Sequence, residues 1–179
     1  MVSNIRHATS GRWLRASLAI AALGVLAACS SMSDLPSGTP LAQIQAKYGR
    51  PSFSCPEPNG GQHLVWSQQP FGQYAWGVHV DSAGQTDQVQ SLLTDEHFQL
   101  LGKGTWTQQQ VLCEFGPPAV KDRVGLPSSD QLVWSYRYRQ AKSWNSLMYV
   151  YFGHDGSHVI RFHPGPDPMF DDHDQSSFR

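Results

Sequence analysis

Two kinds of hydrophobic periodicity alternate along this chain, and they do so twice. Over 41–48, Leu41, Ile44 and Tyr48 recur at helical spacing and fall on one face. Thr39 is placed to cap that helix, with Pro40 at its first position and Gly49 as its stop. The pattern then changes to period two, predicting strands over 62–67, 74–81 and 85–92. The same succession returns. Thr105 is placed as a cap with Gln108 as its capping-box partner, Val111, Leu112 and Phe115 form an apolar face, and Gly116-Pro117 ends the helix. Strands are predicted over 131–139, 146–153 and 157–163. In the first of these, Leu132, Trp134, Tyr136 and Tyr138 alternate with Val133, Ser135, Arg137 and Arg139, so one face is aromatic and buried. An extra helix precedes the second succession: Thr94 caps it, Asp95 and Glu96 occupy its first turn, and Phe98 and Leu101 form its buried face.

The residues themselves repeat. Leu64-Val65-Trp66-Ser67 returns as Leu132-Val133-Trp134-Ser135, and Trp76 returns as Trp144 at the same offset. Gly38-Thr39 matches Gly104-Thr105, and Gly49-Arg50-Pro51 matches Gly116-Pro117-Pro118. The fold class read from this is α+β, as two tandem repeats over 36–93 and 94–165. Each holds one or two short helices and then a three-stranded antiparallel meander. The two meanders are expected side by side, covered by helices on one face. Residues 166–179 are expected to be an acidic flexible tail.

The first 28 residues do not belong to that fold. Arg6, Arg12 and Arg15 form a basic start, and an uncharged apolar run follows over 18–28. The run is too short to span a bilayer, which takes about 20 residues. It ends in Leu26-Ala27-Ala28-Cys29, the kind of box at which bacterial lipoproteins are acylated and cleaved. Residues 1–28 therefore read as a lipoprotein signal peptide, Cys29 as the lipid attachment site, and 29–37 as a tether. Ser30 and Ser31, with no Asp, fit sorting to the outer membrane, the body facing the periplasm. Several acyl chains at about 0.8 kcal/mol per buried methylene make such anchoring stable. Apart from this lipid, no cofactor is expected.

Composition narrows the remaining classes. Charged residues are 15% and hydrophobic ones 40%, too apolar for a disordered chain. After residue 28, ten Lys and Arg stand against fourteen Asp and Glu, a formal charge of −4. A body of that sign does not bind nucleic acid in bulk. Cys55 and Cys113 remain in an oxidising compartment. They are either two buried thiols or a disulfide. The length of the loop it would close favours the bond, worth about 4 kcal/mol.

Candidate chemistry is sparse. The chain has no Gly-x-Ser-x-Gly, P-loop, His-Glu-x-x-His or Cys-x-x-Cys motif, and no catalytic residue is assigned. Cys113, on a short helix, reads as packed or bridged and not as a nucleophile. His154, His158 and His163 precede Asp167, Asp171, Asp172, His173 and Asp174 without tight ligand spacing, so no metal site is assigned. Trp66 and Trp134 read as core. Trp76 and Trp144 start strands beside loops and, with Arg139 and Lys142, read as a candidate partner-binding rim. The basic-aromatic mix over 139–145 also suits anionic phospholipid.

Together, the box at Cys29, the Gly-Thr…Gly-Pro-Pro helix, Val133-Trp134-Ser135-Tyr136 and the closing Tyr149-Val150-Tyr151-Phe152-Gly153-His154-Asp155-Gly156 hairpin resemble the BamE (SmpA/OmlA) family of small outer-membrane lipoproteins. The resemblance is strongest over 92–165, and this chain differs from the usual single-copy form in having two units. It implies a non-catalytic role in assembling β-barrel outer-membrane proteins, with barrel-assembly components, other envelope lipoproteins and phosphatidylglycerol as partners. A tandem of such units also resembles the β-lactamase-inhibitor protein fold, which implies a protein inhibitor or a ligand-binding lipoprotein.

Overall fold

The computed structural model describes residues 31–170. The expected signal segment, Cys29 as the expected lipid attachment site, and Asp171, Asp172, His173 and Asp174 lie outside the described residues. Helix α1 (Leu41–Tyr48) buries Ile44, with Leu41 and Tyr48 packed beside it. Its cap differs from expectation: Pro40 holds the N-cap position and Thr39 stands outside the helix. Thr39 ties loops instead. Its hydroxyl donates to Pro36 O at 2.7 Å, and its carbonyl accepts from Thr86 Oγ1 at 2.6 Å. Helix α2 (Asp95–Phe98) is the extra helix, capped by Thr94 as expected, and runs into a 3-10 turn, Gln99–Gly102.

Helix α3 (Gln108–Phe115) begins two residues later than expected. Thr107, not Thr105, is its cap, and Gln110, not Gln108, closes the capping box. The Thr-x-x-Gln spacing occurs in both registers, and Trp106 decides between them. Its indole donates to Leu100 O and Lys103 O, and its carbonyl accepts from Val159 N, so residue 106 is held out of the helix. Gln108 is left to donate to Gly156 O.

The strands form two four-stranded antiparallel sheets, each in sequential order. The first holds β1 (Phe53–Pro56), β2 (Gln62–Ser67), β3 (Ala75–Val80) and β4 (Gln90–Ser91); the second holds β5 (Val120–Val124), β6 (Gln131–Gln140), β7 (Trp144–Phe152) and β8 (Val159–Pro166). Three-stranded meanders joined into one longer sheet were expected. The difference lies at the edges. β1 alternates, Phe53 and Cys55 inward and Ser54 and Pro56 outward, but is only four residues ending in proline, and β5 (Val-Lys-Asp-Arg-Val) is exposed along its whole length and carries no alternation. The strand predicted over 85–92 shrinks to two residues, with one isolated Val80–Thr86 bridge before it. Edges this short and this charged do not template a continuous ladder.

The helices are not confined to one face. α1 covers one face of the first sheet, burying Leu64, Trp66, Val78 and Val80. α3, from the second half of the chain, packs on the other face against β1, β2 and β3. Residues 63–66 of β2 are therefore all buried, as strands covered on both sides are. The larger core joins Val65, Ala75, Leu92 and Leu93 of the first half to Phe98, Val111, Phe115, Trp134, Tyr136, Tyr138 and Val150 of the second. Phe98 stacks on Phe115 at 5.0 Å and meets the Tyr138 ring edge-on at 5.2 Å. The halves thus share a core.

Two glycines stop the two long helices in the same way. Gly49 has φ 79° and ψ −173°, and Gly116 has φ 78° and ψ −171°. Each carbonyl then accepts from a ring on the second strand of its sheet: Trp66 Nε1 to Gly49 O at 2.9 Å, and Tyr136 OH to Gly116 O at 3.1 Å. At Gly116 a Cβ would also lie 2.8 Å from Val65 Cγ1, so that position is closed to other residues by space as well as by φ.

Candidate binding surface

The β6–β7 ribbon is longer than its counterpart β2–β3, and this length builds the surface. Trp66 pairs with Trp76 across β2–β3, whereas Trp134 pairs with Val150 across β6–β7. Trp144 pairs with Gln140 at the ribbon tip. By register, the counterpart of Trp76 is Val150. The equal offset of Trp144 in sequence is a coincidence of counting, which corrects the pairing of those two tryptophans.

The tip turns through Ala141 (φ 47°) and Lys142 (φ 58°), two consecutive non-glycine residues in the left-handed region. One carboxylate holds it. Asp95, in the first turn of α2, accepts from Tyr138 OH at 2.9 Å and from Ala141 N at 2.6 Å. Burial, and then this carboxylate, push the Tyr138 phenol up, so it stays a neutral donor.

Arg139 and Lys142 come together there, as the rim reading has it. They line a cleft of about 320 Å³ with Tyr74, Ala75, Ser91, Leu93 and Thr94, at the junction of the two halves. Trp144 is 71% exposed. It lies at the other side of the tip, beside Asn145 and Pro164–Pro166. Trp76 is half-buried and sits apart, in the wall of a cavity of about 260 Å³ with Met32, Tyr48, Arg50, Trp66 and Gln68. Tyr74 links the two places, since its ring stacks on Trp76 at 5.8 Å and also lines the Arg139–Lys142 cleft. Trp66 and Trp134 are buried in the core.

A buried ion pair within the second half, unmarked in the sequence, fixes the arginine that ties the two halves together beside this surface. Arg137 Nη1 donates to Asp167 Oδ1, whose side chain is fully buried. Arg137 Nε donates to Pro70 O at 2.7 Å, and Gln69 bonds the Arg137 backbone in both directions. Asp167 falls in the stretch expected to be a flexible tail. The fold instead extends through Pro166 in β8 and the 3-10 turn Pro168–Phe170, because Asp167 supplies the carboxylate that Arg137 needs.

The second cross-link between the halves is covalent. Cys55 in β1 and Cys113 in α3 form a disulfide, with Cα atoms 5.6 Å apart. A titratable cluster surrounds it. His63, opposite Cys55 in the ladder, donates from Nδ1 to Cys113 O at 2.9 Å. Its ring stacks on that of His79 at 4.3 Å, and His79 donates to Glu57. Burial, and then the neighbouring His79, hold the His63 imidazole below its usual pKa. On the same helix, Glu114 lies 2.8 Å from His97, and that contact holds its carboxyl below the usual range. Sequence spacing gave no sign of this cluster, because its members come from five separate segments.

The late histidines do not converge. His154 meets Asp130, His158 bonds Ser157, and His163 stacks on Tyr151. Among the described residues, no three His, Cys, Asp or Glu side chains are placed to share an ion, and no helix is long and apolar enough to cross a membrane.

No family model matches the chain, and no curated protein matches it. A solved structure of a DUF4309 family protein (YjgB) from Bacillus subtilis is similar at a TM-score of 0.28 and 17% identity, over 73% of this chain and 83% of that one.

Proposed function

We propose that this chain is an outer-membrane-anchored, periplasm-facing lipoprotein. It acts as a non-catalytic binding module in envelope assembly, at or near the β-barrel assembly machinery. The observation that carries the reading is the Leu26-Ala27-Ala28-Cys29 box only three residues before the described fold begins at Met32. The Cys55–Cys113 disulfide supports an oxidising compartment. The tandem order, one eight-residue helix and then four sequential strands, supports descent from a duplicated unit of the BamE-like kind. The surface at Arg139, Lys142, Tyr74 and Trp144 is where a protein partner or an anionic headgroup fits, since exposed aromatics and cations are frequent anchors.

The test is a crosslinking pull-down of the acylated protein from outer membranes, with a Cys29→Ala control. Barrel-assembly subunits recovered only with the lipidated form support the reading. Recovery of no envelope protein, together with an intact permeability barrier in a deletion strain, overturns it. A second reading is an inhibitor resembling the β-lactamase-inhibitor protein, favoured by the exposed Trp144 at the β6–β7 tip. It requires that the soluble body slow a hydrolase.

A further inference from the structure

We infer that the end of the molecule formed by the 68–74 loop and the β6–β7 tip lies against the lipid bilayer, with Phe71 and Trp144 entering its interface. This rests on the reading of Cys29 as the acylated residue.

The polypeptide enters the fold at this end. Met32 is buried in the wall of the cavity that also holds Trp76, Arg50 and Gln68. Gln68 opens the loop that carries Phe71: its backbone N–H donates to Tyr74 O, and its carbonyl accepts from Gly72 N. Two residues, Ser30 and Ser31, separate Cys29 from Met32, and three extended Cα-to-Cα steps reach at most about 10 Å. Acyl chains on Cys29 therefore keep Met32, beside Gln68 and Trp76, within about 10 Å of the membrane surface, and this end is the part of the fold nearest to it.

The side chains displayed there suit a lipid interface. Phe71 is 75% exposed and Trp144 71%. Tyr74, Met169 and Phe170 are exposed nearby. Hydrogen bonds gather these segments into one surface: Gln73 Nε2 donates to Asn145 Oδ1, next to Trp144, and Asp167 N donates to Asn145 O, just before Met169. Large apolar groups left in water at a loop tip are costly, and one contiguous set of them marks a surface that is covered in use. The charges agree. The body is acidic overall, yet this end carries Arg50, Arg139 and Lys142, and among the described residues none of the three pairs with a carboxylate. Asp95 is occupied by the hairpin tip; Glu96 is an exposed acid beside Arg139 and Lys142, and Asp34 another in the turn that holds Met32. Tryptophan and tyrosine with flanking lysine and arginine form the belt that proteins place at the headgroup level.

A control position lies at the opposite end. Leu126 is also 71% exposed, but it precedes Gln131, where β6 begins. Ten residues of strand at about 3.3 Å each put that loop roughly 30 Å from the tip. The experiment uses the full chain, matured in cells and reconstituted into phosphatidylcholine vesicles. Benzoylphenylalanine replaces Phe71, Trp144 or Leu126, all exposed positions whose replacement spares the core. After irradiation, lipid adducts at 71 and 144 should exceed those at 126 at least tenfold. Equal labelling at the three positions, or adducts at 71 and 144 only with protein when native membranes are used, overturns the inference. The mass of the N-terminal peptide separates the two failures. An unacylated Cys29 removes the lipoprotein reading and this inference together. An acylated Cys29 without lipid adducts at 71 and 144 removes this inference alone.

Discussion

Removing the Cys55–Cys113 bond should be among the most damaging changes that leave the surface intact. The bond joins β1 to α3 across a separation of 58 residues, and the closed loop contains β2, β3, β4 and α2. In the chain-entropy account, closing a loop of that length lowers the freedom of the unfolded chain by about 4 kcal/mol at 25 °C. Cys55 is 4% exposed and Cys113 is half-buried, so the serine at 55 adds a smaller cost by leaving a buried hydroxyl. The Cys55→Ser/Cys113→Ser protein should therefore lose about 4 kcal/mol, or roughly 8–16 °C in Tm for a domain of this size. Urea unfolding of the soluble body, followed by tryptophan fluorescence, reads this directly. The urea m-value should rise as well, because the unfolded chain is no longer cross-linked and exposes more surface. A loss below about 1 kcal/mol with an unchanged m-value would refute the reasoning, since it would mean that α3 and the first sheet are held together without help from the bond.

The remaining predictions concern charges and the hairpin tip. His63 is held below its usual pKa in the fold, so the unfolded chain takes up protons first as pH falls. Stability should be full above pH about 6.5 and should drop below it, with a further drop below the usual carboxylate range as Glu114 is protonated. Urea midpoints between pH 8 and 4 check the sign, and His63→Gln should flatten the first step; a midpoint that rises between pH 7 and 5.5 contradicts it. Arg137→Ala leaves Asp167 as an unpaired buried charge and should cost about 3–5 kcal/mol, whereas Arg137→Met with Asp167→Leu should recover most of that. Equal losses in the single and double variants would count against the pairing argument. Asp95→Ala removes the acceptor of both Tyr138 OH and Ala141 N, so it should cost about 2–3 kcal/mol and speed amide exchange at 141–144 while leaving the first sheet protected. Exchange that spreads evenly would show that the carboxylate does not act locally.

What the sequence revealed followed the strength of its periodic signals. β6 and β7 are long and alternate cleanly, and they were legible almost to their ends. The helices were legible through Ile44, Val111 and Phe115. β1 and β5 were not, because one is four residues with a proline and the other is an exposed charged edge. The cap of α3 was misplaced because Thr-x-x-Gln fits two registers, and only the tertiary contacts of Trp106 choose between them. The four-residue Leu-Val-Trp-Ser repeat located equivalent strands, but Trp144 was matched to Trp76 by offset when strand pairing makes Val150 the counterpart. Arg139, Lys142 and Tyr74 gather at one cleft, while Trp76 sits a ring away from it. The Arg137–Asp167 pair and the His63 cluster could not be read at all. Each depends on contacts between segments far apart in sequence, and burial, not residue type, gives those groups their character.

The central claim is that acyl chains on Cys29 hold this body at a membrane. The most direct measurement is the intact mass of the mature protein recovered from separated inner and outer membranes. The account predicts a chain that begins at Cys29, carries the mass of a diacylglyceryl group and an amide-linked acyl chain, and is found in the outer-membrane fraction. A mature chain recovered from the soluble periplasm, without lipid mass on Cys29, would contradict it.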